Sequence, residues 1–214
     1  MRTKTLAIAA AFLAAGLASS VAQSNVYSLN VVGYVNVDLP AGFTMIANPL
    51  KNGDNTINTV LADVPPGTLL YKFDGSFGSP AEAGGLGVGW DVNLSLAPGE
   101  GAFIQLPTAK TVTFVGEVTQ GNTTNSMPAG FSIRSSVVPQ SAGLTSVLGF
   151  PAEAGDIVYF FNKATQSYAG GLYESGGGNL WDPSEPSPAV GEAFWVQKAA
   201  PANWVRDFNV PQAP

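Results

Sequence analysis

Apolar and polar positions alternate with period two through most of the stretches of this chain that predict structure. In residues 26–37, Tyr27, Leu29, Val31, Val35 and Val37 share one face and Ser28, Asn30 and Asn36 the other, with Val32 and Tyr34 interrupting the polar face. That period predicts a strand, at least half-buried. A second strand is expected at 43–48, after a turn set by Pro40 and Gly42. The period then changes. Ile57, Val60, Leu61 and Val64 fall at helical spacing behind Asp54 and Asn55, which can cap a first turn, and Pro65-Pro66 ends the pattern because proline cannot continue the backbone ladder. An aromatic strand at 69–73 follows, then a Gly-rich loop at 75–89 running into Trp90-Asp91, and strands at 102–106 and 111–115.

The plan is then repeated. Pro40-Ala41-Gly42-Phe43 returns as Pro128-Ala129-Gly130-Phe131, Leu69-Leu70-Tyr71 as Ile157-Val158-Tyr159, Trp90-Asp91 as Trp181-Asp182, and Gly99-Glu100 as Gly191-Glu192, at shifts of 88 to 92 residues. A fixed order of strands and turn residues at a nearly fixed shift argues for a duplicated structural unit. The second unit predicts a helix on Leu144, Val147 and Leu148 after Ser141, strands at 157–161, 194–198 and 204–208, and a Gly-rich loop at 170–178. Residues 120–126 read as a polar surface linker. Val115-Gly116-Glu117-Val118 also echoes Val32-Gly33-Tyr34-Val35, so a strand shared between the units stays open as a second reading. The expected fold is all-β, mainly antiparallel, with one short helix per repeat, as a pseudo-symmetric sandwich or barrel-like body. Its parts are a signal peptide at 1–22 and repeats at 23–120 and 121–214, as two domains or one intimate domain.

These motifs carry a resemblance. Asn30 to Val35, the Pro-Ala-Gly-Phe turn, Ala47-Asn48-Pro49-Leu50 and Gly191-Glu192-Ala193-Phe194-Trp195-Val196 resemble a family of secreted proteins of unknown function from verrucomicrobial and related environmental bacteria. They are more distantly similar to surface-protein modules that have Trp where this chain has Phe43 and Phe131. The first unit's Asn48-Pro49 is also replaced by Ser136-Val137 in the second. The resemblance covers nearly the whole chain after residue 22. It implies a fold and a secreted setting, and it brings no catalytic residues.

Export is also legible in the first residues. Arg2 and Lys4 precede an apolar run from Leu6 to Ala18 and a small-x-small site ending at Ala22, the pattern of a cleaved secretory signal. The expected location is therefore extracellular, cell-surface or periplasmic. No later run reaches the roughly 18 apolar residues of a membrane helix. The chain carries 9 basic and 15 acidic residues, and loss of Arg2 and Lys4 leaves it more acidic still. Without a basic cluster it lacks the electrostatic footprint of nucleic-acid binding.

The chain contains no His and no Cys. Ser-His-Asp and Cys-His catalysis, thiolate nucleophiles and zinc held by His or Cys are thereby excluded. Glu100, Glu192, Asp91 and Asp182 could serve as acid/base carboxylates, but as repeated positions they read more simply as turn residues and acceptors for loop amides. An aspartic-protease dyad is refused, because Asp74-Gly75-Ser76 has Asn162-Lys163-Ala164 as its counterpart. Asn52-Gly53-Asp54-Asn55 lacks the spacing of a calcium loop. No cofactor or metal is expected.

The aromatic residues near the Gly-rich loops remain. Trp90 and Trp181 read as core plugs or as ligand platforms. Tyr168 and Tyr173 have no sequence counterpart in the first unit, so Tyr168, Tyr173, Trp181 and Asp182 form the candidate ligand site. The functional expectation is a non-enzymatic surface or matrix protein, structural or adhesive, whose partner is an extracellular glycan or a surface protein. A carbohydrate-binding module is the alternative, and a carboxylate-based glycoside hydrolase the third reading.

Overall fold

The computed structural model describes residues 31–84 and 88–210. The expected signal segment, residues 26–30 of the first strand and residues 85–87 of the first Gly-rich loop lie outside them. The described chain is a run of antiparallel strands with one four-residue helix. Its first half holds β1 (Val32–Leu39), β2 (Gly42–Ile46), α1 (Ile57–Val60), β3 (Leu69–Tyr71), β4 (Ala81–Glu82), β5 (Ala102–Leu106) and β6 (Lys110–Glu117). The second holds β7 (Gly121–Met127), β8 (Gly130–Arg134), β9 (Ala154–Tyr159), β10 (Leu172–Gly177), β11 (Leu180–Asp182), β12 (Phe194–Lys198) and β13 (Ala202–Phe208).

The two halves share one strand path. β1 pairs with β6 and β7 with β13 as two-stranded ribbons; the larger sheets run β2-β5-β3-β4 and β8-β12-β9-β10-β11. None of the sheets closes into a barrel. Strands β5, β6, β9 and β12 bury alternate residues, as their period demands. In β5, Ala102, Ile104 and Leu106 are buried while Phe103 and Gln105 face outward; in β12, Phe194, Val196 and Lys198 are buried while Trp195 and Gln197 face outward. The glycine of each Pro-Ala-Gly-Phe turn adopts a left-handed φ, +94° at Gly42 and +81° at Gly130, which explains why the turn keeps glycine in both halves.

Several expectations are corrected. Residues 120–126 are not a linker: β7 occupies 121–127 and pairs with β13 over its whole length. β7 is therefore the second half's counterpart of β1, and Val115-Gly116-Glu117-Val118 belongs to β6 and its end rather than to a shared strand. The second Gly-rich segment is β10, which Leu172, Tyr173 and Glu174 pair to β9. The helix expected at Leu144 is a single wide turn, in which the amides of Val147 and Leu148 both reach the Gly143 carbonyl. Glu185 accepts the amides of Thr145 and Ser146 at 2.6 Å each, first-turn donors that have no partner within the turn, and the left-handed Gly149 ends it. Leu144 and Leu148 are buried all the same, and Val147 is exposed.

Two cores lie beneath the larger sheets. The first gathers Leu39, Ile57, Leu61, Leu70, Ile104 and Phe114, with Trp90 donating its indole N–H to the Leu61 carbonyl at 3.2 Å. The second gathers Leu144, Leu148, Phe150, Val158, Phe194 and Trp204.

Between the halves, equivalent contacts exchange places. Ala47 N–H donates to Gly191 O at 2.9 Å and Ser135 N–H to Gly99 O at 3.0 Å; Ile46 bridges to Glu192 and Arg134 to Glu100. Shifting each member by 88 or 92 residues converts one set into the other. A small third cluster fills this junction with Met45, Ala47, Ile133 and Ala193. There Gly101 and its counterpart Ala193 abut: a β-carbon on Gly101 would stand 2.6 Å from that of Ala193 and 2.5 Å from Ile133 Cγ2.

Candidate functional site: an aromatic face and a polar cleft

The outward side of both larger sheets is aromatic. Period two puts Phe43 of β2, Tyr71 of β3 and Phe103 of β5 opposite the first core, and Phe131 of β8, Tyr159 of β9 and Trp195 of β12 opposite the second. Their rings form one row across the junction. Successive centroids from Tyr71 through Phe43, Phe103, Trp195 and Phe131 to Tyr159 lie 6.0, 6.2, 6.4, 6.0 and 6.1 Å apart. Phe73 meets Trp195 edge-on at 4.7 Å, and its counterpart Phe161 meets Phe103 edge-on at 5.4 Å.

Two further rings flank the row. Phe77 packs edge-on against Phe73 and Tyr168 edge-on against Phe161, both at 5.2 Å. Tyr168 thus has a spatial partner in the first half although it has none in sequence. Its hydroxyl accepts the Trp195 indole N–H at 2.8 Å, and burial pushes its pKa up. Phe77, Phe131 and Tyr168 remain 46%, 47% and 37% exposed. These three side chains leave an apolar patch in water. The polar groups at its edges are already committed: the Tyr71 hydroxyl donates to Gln105 at 3.4 Å and the Tyr159 hydroxyl to Gln197 at 2.9 Å.

The loop carrying Tyr168 is also a clamp. The Gln166 side chain accepts the Phe43 amide at 2.7 Å and donates to the Phe43 carbonyl at 2.8 Å, so it acts as a strand partner along the open edge of β2. Lys163 donates to the Asp38 carbonyl at 2.5 Å.

Beneath this loop lies a polar cleft of about 500 Å³. Asn36 and Asp38 of β1 and Thr44 of β2 form its first-half wall; Phe161 to Lys163, Tyr173 and Glu192 form the other. The turn before β12 brings Glu192 there, with its carboxylate accepting the Ala189 amide at 2.8 Å. Glu100 accepts the Ala97 amide in the same way at 2.9 Å, so both glutamates close the turns at which sequence placed them.

Their surroundings differ. Glu100 also takes bonds from Lys72 at 3.1 Å and Ser95 at 3.0 Å, and bridges through its backbone to Arg134. Burial pushes its carboxyl up, but the Lys72 charge, the Ala97 amide and the Lys72 and Ser95 bonds outweigh it and leave the group below its usual range. At the equivalent places Glu192 finds Phe160 and Ile46. Burial pushes its carboxyl up, and the Ala189 amide and the Lys163 charge offset this only in part. The folded protein therefore holds this proton more tightly than the unfolded chain, and stability falls as pH rises from the ordinary glutamate range through the raised value. Glu192→Gln is expected to gain stability over the parent at neutral pH and to lose the gain in acid. Urea unfolding at several pH values measures it, and a constant difference across pH would contradict the assignment.

The other sequence candidates fall elsewhere. Trp181 lines neither the face nor the cleft: it packs on Phe150 at 6.3 Å and donates to the Thr145 hydroxyl at 2.9 Å, as a core residue. Asp182 is exposed on β11 beside it. Asp91 accepts the Glu82 and Val92 amides at 2.7 Å each, the loop role expected of it. Tyr173 packs against the second core and Phe160 on one side and lines the cleft on the other. Sequence reasoning missed the face because it weighed as ligand platforms only the aromatics near the Gly-rich loops. The signal was present: Phe103 and Trp195 lie out of phase with the apolar residues that their strands bury.

Comparison with protein families, curated proteins and solved structures found no match. Among the described residues no helix is long and apolar enough to cross a membrane.

Proposed function

We propose that this chain is an exported, non-enzymatic adhesive protein that attaches to an apolar partner surface through its aromatic face, and that its two halves arose by duplication of one β unit. The observation that carries the reading is the unbroken row of rings spanning both sheets. Its rings are tilted or edge-on to one another, with interplanar angles of 85° for Phe43 and Phe103 and 88° for Phe131 and Trp195, and so offer no flat platform for a sugar. The absence of His and Cys from the sequence supports a binding role over hydrolysis. The apolar run and small-x-small site at the start of the sequence support export.

Adsorption to alkyl-coated and bare silica, followed by quartz-crystal microbalance, tests the face. The parent protein is expected to hold to the alkyl surface. Phe77→Ser with Phe131→Ser is expected to weaken that hold at least about tenfold, since each buried Phe contributes about 1.5–3 kcal/mol. Equal adsorption of parent and variant would remove the face from the reading. Fractionation of producing cells tests export, and intact protein confined to the cytosol would overturn it.

A further inference from the structure

The two halves differ most at the surroundings of one pair of equivalent glutamates. In the first half, Lys72 and Ser95 bond the Glu100 carboxylate, and Asn125 fills the neighbouring space by donating to the Gly99 and Ser135 carbonyls at 2.9 and 3.1 Å. In the second, Phe160 stands at the Lys72 position and Val37 at the Asn125 position, while Ser187, the counterpart of Ser95, makes no bond to Glu192. The cleft opens where the first half is filled. Its volume of about 500 Å³ is that of a small-ligand site.

The uncommitted groups on its walls define a chemistry. Glu192 has one carboxylate oxygen left after accepting the Ala189 amide. Asn36 uses its carbonyl oxygen on the Thr113 hydroxyl, and Asn162 uses its own on the Ala164 and Thr165 amides, so each has its NH2 group to donate. One strong acceptor and two amide donors suit hydroxyl groups, each of which can donate to the first and accept from the second. Tyr173 adds a ring on the same wall. An anionic ligand would face two carboxylates, Glu192 and Asp38, against one cation, Lys163, which already donates to the Asp38 carbonyl. A hard divalent cation needs six or more oxygens, and among the described residues no group of three acidic side chains gathers to supply them.

We infer that the cleft between β1 and the loop of residues 160–173 binds a neutral saccharide, held by Glu192, Asn36 and Asn162. This site is separate from the adhesive face and does not depend on it. Saturation-transfer NMR with glucose, galactose, N-acetylglucosamine, cellobiose, lactose and diacetylchitobiose tests it on the purified protein. Transfer to at least one of these is expected. Glu192→Gln and Asn36→Ala should each weaken that binding about tenfold, the usual loss for a hydrogen bond to a charged group or an equivalent paired donor. Both variants should keep the parent's circular dichroism. Phe77→Ser with Phe131→Ser should bind the sugar as the parent does, which separates failure of the cleft from failure of the face. No transfer to any of the six, or binding unchanged in both cleft variants, would overturn the inference.

Discussion

Asp156→Ala is expected to cost about 3–5 kcal/mol in unfolding free energy, the loss typical when one member of a buried ion pair is removed. Asp156 and Lys198 pair within the second half with their side chains 1% and 2% exposed. Lys198 also donates to the Pro151 carbonyl at 2.8 Å, and Asp156 accepts the Glu153 amide at 2.8 Å. Truncating the acid strands an ammonium group that has nowhere to reach water. The first half shows the apolar solution to the same space, with Thr68 and Leu106 at the equivalent positions, both buried, and the Thr68 hydroxyl bonded to the Pro65 carbonyl at 2.7 Å. Asp156→Thr combined with Lys198→Leu should therefore return to within about 1 kcal/mol of the parent or exceed it. Urea midpoints at unchanged slope measure both. A double variant as damaged as the single one would show that the halves cannot exchange this piece of core.

A second large effect is expected where the halves meet. Gly101→Ala places a β-carbon 2.6 Å from that of Ala193 and 2.5 Å from Ile133 Cγ2, both closer than atoms pack. Overpacking of this kind costs about 1–3 kcal/mol. The first half meets the clash with glycine against branched Ile133; the second carries Ala193 in the same cluster as Met45, the flexible counterpart of Ile133. Adding Ala193→Gly and Ile133→Met to Gly101→Ala exchanges these solutions and should recover most of the loss. Thermal unfolding of the three-residue variant decides the matter, and no recovery would mean that the strain lies elsewhere in the junction.

Much of the fold could be read before the structure because turn chemistry and period two are local. The turn glycines at 42 and 130, the alternation of β5 and β12 and the apolar set of Ile57, Val60, Leu61 and Val64 all sit where the pattern puts them. What failed depended on partners distant in sequence. Residues 121–127 are polar on both faces at several positions, and only pairing with 202–208 makes them a strand. The turn at Leu144 has a helical pattern, but its first amides are held by Glu185, about 40 residues away, and the left-handed Gly149 ends it after one turn. The site followed the same division. Tyr168 belongs to the aromatic face and Tyr173 to the cleft, while Trp181 belongs to the core, because alternation fixes which residues share a face without saying whether that face is covered.

The glycine and alanine at the junction carry a further consequence. A body assembled from two separate copies of one half, through these same contacts, would set this position against itself. Two glycines would fit, whereas two alanines would bring their β-carbons to 2.6 Å. A homodimeric forerunner of this architecture is thus confined to glycine there. Once the two halves differ in sequence, as they do on this one chain, one of them can accept a methyl group that identical copies would have to exclude.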